Sequence, residues 1–96
     1  MELSHLLNAA GVIAKRNLSV NVNSVAIEWS EDESALKLFH YFDLSPTNDD
    51  LELQELSMCE LLAEFPDIRS SECISLTQPF EEAAQSKRNI VYVRST

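Results

Sequence analysis

Between Asp49 and Glu64 the chain carries Asp49, Asp50, Glu52, Glu60 and Glu64 at spacings that, at about 100° per residue, fan across one side of a helix. Carboxylates do acid–base chemistry only when one of them sits in a desolvated cleft. On a solvated helix face they act as charge. Leu53 and Leu56 fall among these acids, which a helix docked on a single core does not require. Apolar anchors inside a charged rim are the anatomy of a protein-binding surface. The candidate partner-binding residues are therefore Asp49, Asp50, Glu52, Leu53, Leu56, Glu60 and Glu64.

Other reactive side chains are sparse. Cys59 and Cys73 are the only cysteines, and their ordinary role in a reducing compartment is as half-buried thiols. A cysteine nucleophile needs a histidine and an orienting Asn or Asp, and no spacing places His5 or His40 beside either thiol. His40 fits a hydrogen-bonded core or rim histidine better than a ligand, since no second donor stands at metal spacing. The only glycine, Gly11, lies within a helical pattern, so a P-loop and a GxGxxG turn are both excluded. GxSxG, HExxH and paired CxxC motifs are absent as well. Neither a catalytic residue nor a cofactor or metal is expected.

Charge is concentrated rather than spread. From Glu28 to Glu64 eleven acids face the single base Lys37, a segment charge of −10 in a chain whose net charge is −9. Such a pole repels nucleic acid, whose binding depends on Lys and Arg displacing counterions. It attracts cationic partners and steers their approach. The same argument sets aside base stacking by the aromatic row Phe39, Tyr41 and Tyr92.

Ninety-six residues with 45% apolar content and one glycine describe a single domain, 1–96, able to form a core without metal or disulfide. No apolar run approaches the ~18 residues of a membrane span. The N-terminus shows no basic-then-apolar leader, so a cytoplasmic location is expected.

The elements that must position the acids can be read in order. Glu2 to Arg16 is helical, with Leu3, Leu6, Leu7, Ala10, Ile13 and Ala14 on one stripe, Gly11 allowing a close crossing and Asn17 as the stop. The alternation from Leu18 slips by one residue before Val25, so a bend or bulge is expected near Asn23–Ser24. Val25, Ile27 and Trp29 form an inward row. The polar run Ser30 to Ser34 suits a hairpin loop. In the next strand, Ala35 to Asp43, Leu36, Leu38, His40 and Phe42 alternate with Lys37, Phe39 and Tyr41. Pro46 and Thr47 then start the acidic helix, whose core face is expected to hold Leu51, Met58, Leu61, Leu62 and Phe65, with Cys59 beside them. Ser71 to Thr77 is a short strand, 78–87 a helical turn or ordered loop, and Asn89 to Arg94 the last strand. The expected fold is α+β, in the order α-β-β-α-β-β, with a mainly antiparallel sheet of three to five strands and both helices on one face.

The aromatic strand ending near Asp43, Pro46–Thr47 followed by Asp49, Asp50 and Glu52, the helix with Glu60, Ala63 and Phe65, and the closing Tyr92-x-Arg94 strand resemble small bacterial immunity proteins. These accompany the toxins of contact-dependent growth inhibition and related polymorphic toxin systems. The resemblance spans about a third of the chain. It implies a non-enzymatic cytoplasmic inhibitor that binds the C-terminal domain of a cognate toxin and occludes its active site. Those toxins are often nucleases, more often RNases, including tRNA-cleaving ones, than DNases, and their clefts are basic because they hold phosphate. The alternative is an acidic homodimeric adaptor or secretion chaperone in which Leu53 and Leu56 bury against a second copy. A small enzyme or ligand binder would instead need a deep polar pocket.

Overall fold

A computed structural model describes residues 1–85 and 88–94. The elements run α1 (Leu3–Arg16), β1 (Val22–Ser30), β2 (Ala35–Phe42), α2 (Asn48–Glu64), β3 (Ser70–Thr77), α3 (Phe80–Gln85) and β4 (Asn89–Val93). The sheet order is β3-β2-β1-β4. The β1–β2 hairpin and the β1–β4 pair are antiparallel, whereas β3 lies parallel to β2.

The α+β class and the placing of α1 and α2 on one face agree with expectation. The sheet is mixed, however, not mainly antiparallel, and a third helix makes the order α-β-β-α-β-α-β. The physical cause of the first difference is α2. A hairpin reverses the chain, but a helical crossover returns it, so the strand after α2 runs in the same direction as the strand before it. The hairpin loop anchors that return: the Ser34 carbonyl accepts from the N–H groups of Arg69 and Ser70 at 2.8 and 3.3 Å. The third helix falls in the segment 78–87, expected as a helical turn or an ordered loop. Pro79 precedes it, and its carbonyl accepts from Glu82 and Ala83 N–H. Residues 86 and 87 of that segment lie outside the described residues.

The main core lies between the sheet and α1/α2. It joins Leu6, Ala10, Ile13 and Ala14 to Val25 and Ile27 of β1, Leu36, Leu38 and Phe42 of β2, and Met58 and Leu61 of α2. The slip expected near Asn23–Ser24 is a register shift between Val22 and Ser24, which lets Val22 and Val25 share that core. Gly11 permits the close crossing anticipated for it, because a Cβ there would stand 3.1 Å from the Val91 carbonyl oxygen of β4. On the opposite face Ala26, Phe39 and Tyr41 are buried with Ala83 of α3. Arg88 closes this face. Its guanidinium lies 4.0 Å over the Phe39 ring and donates to the Tyr41 hydroxyl at 3.0 Å.

His40 lies on the helix-covered face beside Phe42, nearly sealed from solvent, and its Nδ1 has no hydrogen-bond partner among the described residues. Burial pushes its pKa down from 6.5 to about 4. The unfolded chain therefore binds a proton between pH 6.5 and 4 that the folded chain refuses, so stability falls as pH drops through that window, by up to about 3 kcal/mol. The carboxylates held low by their partners, Asp43, Asp50 and Glu60, lose their contributions only below about pH 4.5. Urea midpoints measured from pH 7 to 4.5 should fall for the native chain and stay nearly flat for His40→Leu.

Candidate functional site

The start of α2 is built as its sequence dictates. Thr47 Oγ1 accepts from Asp50 N–H at 3.2 Å and Asp50 Oδ2 accepts from Thr47 N–H at 2.9 Å, a reciprocal capping box. Asp50 also accepts from Asn21 Nδ2 at 3.1 Å and is only 6% exposed. The Thr47 N–H, followed by the side chains around it, holds the Asp50 carboxyl below its ordinary value. This acid is committed to the fold.

The orientation of α2 departs from simple amphipathic reading. Met58 and Leu61 are buried, with Leu62 and Phe65 half-buried, but the rest of the buried side is polar: Asp50, Gln54 and Ser57. Leu51 and Cys59, expected at the core face, are exposed, and so is Cys73 on β3. Gln54 explains the rotation. Its Nε2 donates to the Leu38 carbonyl at 3.2 Å and the Ile74 carbonyl at 3.0 Å, and its Oε1 accepts from Ser75 Oγ at 2.6 Å. Ser57 and Glu60 meet the end of α1. Asn17 Nδ2 donates to Ser57 Oγ at 3.3 Å, and Arg16 donates to Glu60 Oε2 at 2.6 Å. The helix is thus pinned by polar contacts on both flanks of its buried side, and Leu51 and Leu56 are turned outward while Leu53 is half-buried at the rim.

The seven sequence-derived candidates then separate. Asp49, Glu52, Leu53 and Leu56 line one shallow concavity of about 400 Å³, with Leu56 47% exposed. Glu60 lies farther along the same side of the helix, held by Arg16 foremost, which keeps its carboxyl below the ordinary value. Glu64 is exposed at the C-terminal end and lines a different groove, with Val12 and Arg16 of α1. Asp50 is not available.

Two residues absent from the candidate set join this surface. Val20 is 96% exposed and Leu44 73%, and both line a concavity of about 510 Å³ that shares Asp49 with the first. Their sequence signal was an apolar residue within Asn- and Ser-rich connectors. Asp43 also lines this concavity, but Arg94 holds its carboxylate at 2.7 Å and Asn23 Nδ2 donates to it at 3.1 Å. Arg94 first, then Asn23, keeps that carboxyl low. Trp29 of β1 and Tyr41 of β2 lie away from this surface. Trp29 donates to Glu31 at 2.6 Å, and Tyr41 is buried on the opposite face under Arg88. Among the described residues no cluster of His, Cys, Asp and Glu is arranged to hold a metal, and no helix is long and apolar enough to cross a membrane.

The fold is a small α+β domain, and its distinctive surface feature is an acidic helix with Leu51 and Leu56 exposed to solvent. The family model of the MafI2 immunity proteins matches residues 15–96, and the chain belongs to that family. No curated protein matches the chain in a sequence comparison. The small immunity protein of polymorphic toxin systems expected from the sequence is therefore the class observed, and a cognate toxin is its partner.

If Gln54 fixes the helix and the leucines do not, their replacements should differ sharply. Gln54→Ala removes three hydrogen bonds from a buried site and should lower unfolding free energy by about 2–3 kcal/mol. Leu56→Ala, at an exposed position, should change it by less than about 0.5 kcal/mol. Urea denaturation of both variants checks the contrast.

Proposed function

We propose that this chain neutralises a nuclease toxin, an RNase in preference to a DNase, by laying the outer face of α2 into the toxin's cation-lined active-site cleft. The toxin is the C-terminal domain of a contact-dependent or related polymorphic system, met in the cytoplasm. Asp49, Glu52, Leu53 and Leu56 form the centre of the contact, Val20 and Leu44 extend it, and Glu60 and Glu64 add charge along the same helix. Asp50 supports it from within by holding the helix start. The role is that of an inhibitor, with no catalysis of its own.

The observation that carries this reading is the orientation of α2: polar Gln54 and Ser57 are buried beside Met58 and Leu61, while Leu56 faces solvent beside acids that have no ion pair among the described residues. Exposed apolar side chains rimmed by charge mark interaction sites. A nuclease cleft must hold phosphate, so its Lys and Arg are complementary to carboxylates. Charge complementarity acts mainly on the association rate, and buried anchors act mainly on dissociation.

The test is binding kinetics with the toxin domain encoded beside this chain's gene, in a catalytically inactive form. Asp49→Lys with Glu52→Lys should slow association at least about tenfold at low salt and flatten its salt dependence. Leu53→Ala and Leu56→Ala should raise the dissociation rate with association little changed. The active toxin should degrade RNA in vitro, and the native chain should stop it at equimolar ratio. Unchanged kinetics in all four substitutions would place the contact elsewhere.

A further inference from the structure

One edge of the sheet is built as though to accept another strand. β3 ends the order β3-β2-β1-β4, and all eight of its residues pair in register with β2, from Ala35↔Ser70 to Phe42↔Thr77, with no shift. Among the described residues nothing pairs with its other side. Natural edge strands are guarded by proline, lysine, bulges or shortness. The β3 sequence SSECISLT contains no Pro or Lys and one charge, Glu72, and its eight residues run without a bulge. The opposite edge shows the contrast, since β4 has five residues and an irregular register against β1.

The two rows of β3 side chains also stop short of a finished layer. Cys73, Ser75 and Thr77 share the face of Leu38, His40 and Phe42, beneath α2, and they are small and exposed. Ile74 and Leu76 share the opposite face with Phe39 and Tyr41, and although they pack on that cluster they remain half-exposed. A fifth strand would cover both. Gln54, the residue before Glu55, donates to the Ile74 carbonyl and accepts from Ser75 Oγ, so α2 crosses β3 at this point and Glu55 lies beside the edge. Partial burial first, and then the Glu55 carboxylate and the Cys59 thiol, hold the Cys73 thiol above its ordinary value. Glu52 lies one turn before Glu55 on the same helix, so the edge is continuous with the concavity of Glu52 and Leu56.

We propose that the toxin domain binds by adding a β-strand to β3, with Lys or Arg side chains pointing up to Glu55 and Glu52 and apolar side chains pointing down beside Ile74 and Leu76. This mode rests on the toxin-binding reading above and gives it a backbone component. Strand addition draws affinity from main-chain hydrogen bonds and selectivity from alternate side chains. Charge decides the occupant. A second copy would bring another chain of net charge −9 to an edge already flanked by Glu52, Glu55 and Glu72, whereas a cationic cleft is attracted to it.

Amide exchange followed by NMR, on the chain alone and with the inactive toxin domain, tests this. Alternate β3 amides, those pointing away from β2, should exchange quickly in the free chain and slow at least tenfold in the complex, with β4 amides unchanged. Cys73→Lys, which sets a cation under Glu55 at an exposed site, should weaken binding at least tenfold and leave the unfolding midpoint in place. A complex that forms without slowing any β3 amide overturns strand addition and leaves the α2 contact standing. Absence of any complex overturns the choice of partner and strand addition with it. Slow β3 amides in a free chain of dimeric mass would make the occupant a second copy.

Discussion

The contact on which the rest of this structure turns is the seat of Gln54 between β2 and β3. An amide buried without partners is unfavourable by several kcal/mol in an apolar medium, so Gln54 can stay inside only where all its valences are met. Two carbonyls, one from each strand, and one serine hydroxyl meet them. That set of acceptors and donor exists only if β3 lies beside β2 and α2 lies over the seam between them. The same residue therefore fixes the crossover, the parallel pairing and the rotation of α2. With Gln54 inward, helical spacing leaves Leu53 and Leu56 toward the rim and solvent, and no rearrangement of side chains alone could bring them back.

Charge is sorted by the same architecture. The chain has seven Lys and Arg against sixteen acids. Several of those bases are tied to acids that hold elements together: Arg16 to Glu60 between α1 and α2, Arg94 to Asp43 at the end of β2, and Arg88 near Glu28 on the second face. Asp50 is neutralised in effect by the helix start it caps. Among the described residues Asp49, Glu52 and Glu55 form no ion pair, and they lie side by side on the outer face of α2. Exposed ion pairs contribute little to stability individually. Their consequence here is geometric, since they draw the bases away from one face and leave its negative potential unopposed.

Much of this was legible before any coordinates. The start of α2 at Pro46–Thr47 follows from local chemistry, and so do the α1 stripe, the hairpin between Ser30 and Ser34 and the slip near Asn23. Each is decided by neighbours close in sequence. What could not be read depends on distant partners. The direction of β3 is a property of where α2 lands, and an alternating strand is the same string whichever way it runs. Gln54 resembles a surface residue until the two carbonyls that receive it are known, which is why Leu51 was given the inward place it does not occupy. Val20 and Leu44 were missed because a lone apolar residue in a connector is usually unremarkable, and only folding sets both beside Asp49.

An inhibitor of a toxin has a kinetic problem as well as an affinity problem, and under the α2 contact proposed above the arrangement of that helix separates the two. Unpaired carboxylates act beyond contact, over roughly the 8 Å Debye length of physiological salt, and so raise the frequency of productive encounters before any surface is buried. Leucines act only on contact, where excluding water lengthens the lifetime of the complex. Placing both on one rigid helix means that the orientation favoured by steering is also the one that seats the anchors. Outward leucines carry a risk of self-association, and the charge offsets it, because two copies repel through the acids that a cationic cleft attracts. In the proposed complex one surface thereby discriminates between its own kind and its partner without needing a separate device for each.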